Sequence, residues 1–356
     1  MSRPARWLGI DLFKGVAAYG VVVIHSLGQV AWTPSNGRFV GMFVATVVPF
    51  FLAVALYFST ARLLSSGSAG HLRDRARRLL VPYFLWSLIY LAARTGLYMA
   101  SGRADDVRAM FGRPLDLVFL GLSSAQLYFL PLLFLGELEA TLAIRALGSH
   151  LHRPATVGLI AGMALLLAWY HPLRYSPLLT DPCRAPSAHV LINLANYAIL
   201  CVPFVAGAIL FHLARVQRLA DWLTPIGGVA LVVVLVLLDL VSQFPFLDSA
   251  LPPPVREVAF AFGFLLAAMA ISPAIPAVRW VASLGASAMG IYLVHPLAIE
   301  FLELLLVRGR FTQAVVITPA HHAIFAAVAF LLSWTVVVQF LRAPALSRIL
   351  FGQKAP

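Results

Sequence analysis

The sequence predicts an all-α fold, a polytopic membrane bundle of about ten transmembrane helices with both termini cytoplasmic. Three observations predict it. Of the 356 residues, 61% are hydrophobic and 11% charged, whereas a soluble domain carries about 25% charged residues. Apolar runs of about 17 to 25 residues recur along the chain, each closed by a polar or Pro/Gly-rich break. That length crosses a bilayer as a helix and is about twice that of a membrane-spanning strand. Basic residues also divide unevenly between alternate connections, as the positive-inside rule requires.

The spans are expected at approximately 8–30, 40–61, 80–100, 124–144, 155–171, 191–213, 224–242, 258–275, 283–306 and 318–341. The first follows Arg3 and Arg6 with no apolar run ahead of it, so it reads as a retained span rather than a cleaved signal peptide. The connection at 62–79 holds the densest basic cluster, RDRARR at 73–78, and belongs in the cytoplasm. With the N-terminus inside, cytoplasmic segments carry fifteen Lys and Arg residues and external segments ten. The net charge of +12 is then a topology signal and an attraction to anionic membrane lipid. No nucleic-acid module is present, and the oligomeric state is left open.

Cys183 falls in the external loop 172–190 and Cys201 inside the sixth span, which argues against a disulfide between them. No CxxC, HExxH or other metal-ligand pattern occurs, so no metal is expected. His150 and His152 flank a cytoplasmic connection and read as solvated. His321 and His322, at the start of the last span, and Asp239, at the end of the seventh, read as interfacial. No repeat or appended soluble domain is evident, so residues 1–356 read as one membrane domain.

The first span carries charge where lipid disfavours it. Lys14 and His25 are eleven residues apart, which on a helix places them about 20° from each other around the axis and about 16 Å along it. Asp11 lies at i,i+3 to Lys14, a spacing suited to an ion pair at the membrane boundary. Asp11, Lys14, Ala18, Val22 and His25 thus form a stripe that is polar at both ends and small or aliphatic between, along which a slender ligand fits. His25 supplies the chemistry, because a neutral imidazole accepts a hydroxyl proton near pH 7. Lys14 supplies a fixed positive charge, in a chain with 24 Arg and only 2 Lys. The pair suits transfer of an acyl group from an anionic carrier to an alcohol.

These residues carry a resemblance. RWLGIDLFKGVAAYGVVVIHS at 6–26 resembles the opening signature of the acyltransferase family 3 membrane proteins: an aspartate, a basic residue, and a histidine eleven positions after the basic one. The family's usual basic residue is arginine, and here it is Lys14, which lacks the planar fork. VPFFLAVALYFS at 48–59 is similar to the family's second helix, with Ala55 and Leu56 in place of its usual Ser-Gly. RARRLLVPYFLW at 75–86 resembles its basic stretch leading through a proline, LYFLPLLF at 127–134 its aromatic-Leu-Pro signature, and LGASAMGIYLVHP at 284–296 its late motif.

The resemblance implies a bacterial inner-membrane, multi-pass O-acetyltransferase. It would use cytoplasmic acetyl-CoA as acyl donor and a glycan or lipid-linked glycan as acceptor, exopolysaccharide being favoured. Arg75 and Arg78 would meet the donor's phosphates, with Lys14 also on the donor side, and His25, Lys14 and Asp11 would form the catalytic group. Tyr292, Ser287, His295 and Glu137 are candidates for the acceptor side. The competing function class is a transporter that binds an anionic solute through Lys14 and His25, although the paired broken helices of many transporters are not found.

Overall fold

The computed structural model describes residues 6–26, 34–44, 46–67, 70–170, 186–242, 252–308 and 318–353. Cys183 lies outside them. The described residues hold α-helices and short 3-10 turns and no strand. In order, the α-helices are α1 (Leu8–His25), α2 (Pro34–Val44), α3 (Val47–Ser66), α4 (His71–Ala100), α5 (Ala104–Phe111), α6 (Pro114–Phe119) and α7 (Phe129–Leu147). They continue with α8 (Pro154–Trp169), α9 (Pro186–Leu213), α10 (Val216–Ser242), α11 (Pro253–Ile271), α12 (Arg279–Arg308), α13 (Pro319–Leu341) and α14 (Pro344–Phe351).

Among the described residues nine helical stretches are long and apolar enough to span a membrane. The expected tenth, at 155–171, corresponds to α8, whose 16 residues extend about 24 Å at 1.5 Å per residue, short of the roughly 30 Å hydrocarbon core. The third expected span differs in its start. Helix α4 begins at His71, nine residues before the expected 80, and RDRARR is helical rather than part of a loop. Arg, Ala and Leu are good helix formers, and Gly70 takes the left-handed conformation that opens the helix (φ 73°).

The chain divides into two compact units. The first comprises residues 1–54 and 214–342, and within it α1 packs against α11, α12 and α13. Small residues permit the close approach that holds membrane helices together. A Cβ at Gly285 of α12 would run into the Asp11 carboxylate, so these helices meet almost backbone to side chain at that level. Gly9 N–H donates to Ser272 Oγ at 2.9 Å, which ties the start of α1 to the end of α11.

The second unit comprises residues 55–213 and 343–356. Pro82 sits inside α4 and has no N–H for the carbonyl of Arg78 one turn back. Gly352 packs against that carbonyl with φ +63°, where a Cβ would clash. Trp86 Nε1 donates to Leu350 O at 2.9 Å and the Trp86 ring stacks on Phe351, which fixes α14 along α4. Cys201 of α9 is buried with its thiol free and donates to Leu132 O of α7 at 3.3 Å.

Candidate functional site

In the first unit, helix α1 presents the charged residues in the expected register with different partners. Asp11 pairs with Arg6, whose Nε lies 2.5 Å from Oδ2 and whose Nη2 donates to Ala282 O at 2.7 Å. The short contact of Asp11 is thus with Arg6, and the expected partner Lys14 interacts with Asp11 at longer range. Arg6 precedes the helix and folds back over its first turn, reaching the carboxylate and α12 together. Lys14 is half-buried and has no hydrogen-bond or ion-pair partner among the described residues. With Asp11 acting on it only at longer range, this lysine inside a membrane span is a candidate contact for an anion.

The stripe is a packed seam. Ala18 and Val22, midway between Lys14 and His25, are both 0% exposed. A carrier arm lying along the stripe would have to displace that packing, so the open path inferred from helix spacing is absent here.

At the far end of α1, His25 faces His295 of α12, with ring centroids 5.3 Å apart and planes tilted by 40°. His295 is fully buried, and its Nδ1 donates to Ile291 O at 3.2 Å. Tyr292 is buried beside it, ring centroids 6.0 Å apart. Ser287 is also fully buried, and its Oγ has no hydrogen-bond partner among the described residues. His295 and Tyr292, expected on the acceptor side, thus gather next to the histidine at the end of the stripe.

His321 is exposed at the start of α13, as expected, and His322 is not. His321 closes a capping box with Thr318 at the start of α13. His322 is buried: its Nε2 donates to Val23 O at 3.0 Å and lies 2.9 Å from Ser26 Oγ, stapling α13 to the last turn of α1 beside His25. Adjacent positions on a helix point about 100° apart, so one of two neighbouring histidines turns inward, a signal present in the sequence and not used.

Asp239, expected at the interface, is buried. It lines a mostly apolar cavity of about 330 Å³ with Leu12, Phe13 and Val16 of α1, Met42 of α2, Phe264 of α11 and Thr46 among others.

The second unit holds a separate polar cluster. Glu137 of α7 is 0% exposed and accepts hydrogen bonds from Ser59 and, at 3.2 Å, from His71 Nε2. His71 Nε2 also lies 2.8 Å from Ser59 Oγ. Because Ser59 donates its single proton to the carboxylate, His71 Nε2 carries the proton shared with both. Arg75 Nη2 stands 2.7 Å from Glu137 Oε1 off the hydrogen-bonding direction, so the contact is an ion pair. Arg75 is thus committed to a buried carboxylate. Arg78, one turn on, has no side-chain partner among the described residues. His71 was missed because its helix was expected to begin at 80, and Ser59, inside the expected span 40–61, because its partners lie on other helices. With the helix begun at 71, His71, Arg75 and Arg78 lie at i, i+4 and i+7 on one face.

Chemically, the first unit offers neighbouring imidazoles in an apolar interior and a lysine with no carboxylate in direct contact, and the second, in Arg78, a guanidinium without a side-chain partner among the described residues. Among the described residues no three His, Cys, Asp or Glu side chains come together as metal ligands. His150 and His152 are exposed. The family model described as an acyltransferase domain matches residues 7–338. No curated protein and no solved structure matches the chain.

Proposed function

We propose, from the premise that the chain belongs to the acyltransferase domain family, that this membrane acyltransferase moves an acetyl group from acetyl-CoA to a hydroxyl of a surface polysaccharide or its lipid-linked repeat unit. His25 acts as the general base. The observation that carries the reading is its placement: an imidazole at the end of a membrane-spanning helix, against a second imidazole, with no hydrogen-bond partner of its own among the described residues. In the step proposed, the acceptor oxygen bonds to the thioester carbonyl carbon as the C–S bond breaks. The hydroxyl proton passes to His25 and from it to the departing thiolate, yielding ester and free coenzyme A.

Arg78 is the better of the two arginines for a donor phosphate, because its side chain has no competing carboxylate; Arg75 is held by Glu137. The basic run RDRARR at the start of α4 supports a cytoplasmic side for donor binding in a bacterial inner membrane. Lys14 adds a fixed positive charge for the anionic donor, and Asp11 ties Arg6 to the start of the helix. Membrane lipid is the solvent, and the glycan acceptor is presented at its surface.

The test compares surface glycans from cells with and without the gene by mass spectrometry, together with thiol release from acetyl-CoA by the purified protein. Loss of an acetyl mass from one glycan class and acceptor-dependent thiol release are expected. Unchanged glycans together with absent thiol release contradict the reading, and uptake of an anionic solute without thiol release would return it to transport.

A further inference from the structure

His295 is the buried titratable group with least reason to be there as packing. Its Nδ1 faces the Ile291 carbonyl at 3.2 Å, and a carbonyl only accepts, so Nδ1 carries the proton and Nε2 is left as a bare lone pair. That nitrogen is buried, on a residue 0% exposed, and has no hydrogen-bond partner among the described residues. Buried acceptors left this way are uncommon, and an apolar side chain of similar size would fill the site without the penalty. The adjacent ring is His25, at 5.3 Å between centroids. Two coplanar imidazoles joined nitrogen to nitrogen have centroids about 5 Å apart, given a bond of about 3 Å, so the 40° tilt separates them more than the distance does.

We propose that His295 is a positioning residue for acyl transfer: its Nε2 accepts the N–H of His25 during turnover, which fixes the His25 tautomer and leaves the second His25 nitrogen as the lone pair that meets the acceptor hydroxyl. The inference rests on His25 being the base. The proton taken from the acceptor goes to His25 and on to the thiolate. His295 gains and loses nothing over the cycle.

The test uses the full-length protein with acetyl-CoA as probe, reading thiol release and labelled acetyl entering membrane glycans of cells that lack the native copy. His295→Leu, His295→Gln and each of these combined with His25→Ala are compared. The leucine variant is expected to elute as a monodisperse species with its KM for acetyl-CoA within about threefold of wild type and kcat lower by roughly 10². The glutamine variant, whose side-chain carbonyl replaces the acceptor, should recover at least about tenfold of that loss. In the His25→Ala background His295→Leu should change the residual rate by less than about twofold, because a residue acting through His25 has nothing left to position. Wild-type kcat in the leucine variant overturns the proposal. So does equal impairment of Leu and Gln, or an independent loss in the double variant. Failure of the leucine variant to fold also overturns it, since removing an unpaired nitrogen gives no reason to unfold. Wild-type turnover in His25→Ala alone would instead remove the general-base reading, a result distinct from each of these.

Discussion

Arg75 and Arg78 stand one turn apart on α4 and differ in what they have left to offer a donor. Arg78→Ala should weaken acetyl-CoA binding about ten- to a hundredfold, the loss of one charge-assisted contact of about 1.5 to 3 kcal/mol, with normal thermal stability; titration calorimetry on the detergent-extracted protein checks both. Arg75→Ala should instead strand the Glu137 carboxylate and destabilise the fold by roughly 3 to 5 kcal/mol. Adding Glu137→Gln should restore much of the melting temperature. If Arg75→Ala melts like wild type and loses donor affinity, the two arginines share the phosphate role. Lys14→Arg should keep activity and Lys14→Ala lose it, read as thiol release, because the charge and not the ammonium shape is what the seam offers an anion. Spacing in the sequence was enough to align Lys14 with His25 and Arg75 with Arg78. It was silent on the partners of Glu137, Ser59 and His71, which lie on other helices, and on Arg6, which reaches Asp11 only because the chain folds back before α1.

Elements show the same division. The α1–α12 seam was legible as a polar-ended stripe, yet helix periodicity alone does not say whether a stripe is open or packed. Gly285 decides it, by letting Asp11 lie against the backbone of α12. Gly285→Ala should therefore cost about 1 to 3 kcal/mol through overpacking, seen as a lower melting temperature, while Gly37→Ala, with open space around a Cβ, should be neutral. Equal melting of the two variants would contradict the seam. The early start of α4 was hidden for a different reason. A basic run reads as a loop when hydropathy alone sets the boundary, although its Arg, Ala and Leu favour helix. The continuation of that helix through Pro82, against Gly352 of the second unit, depends on a contact 270 residues away in sequence that no local pattern carries.

For the whole molecule, composition and run length sufficed for a polytopic helical membrane protein, and the family match over residues 7–338 makes it an acyltransferase. Topology turns on α8, apolar and uncharged yet only 16 residues long. If α8 crosses as the tenth span, both termini lie in the cytoplasm, and reporter fusions to residues 1 and 356 should report the same side; opposite sides would leave α8 out of the count. The central claim is chemical, that the intact protein transfers an acyl group with His25 taking the acceptor's proton. Acyl transfer by His25→Ala, measured beside its acetyl-CoA affinity, tests it most directly. Turnover is expected to fall by about 10² to 10⁴ while the protein elutes as one folded species and still binds acetyl-CoA. Wild-type acylation of the surface glycan by a folded, donor-binding His25→Ala protein would contradict it.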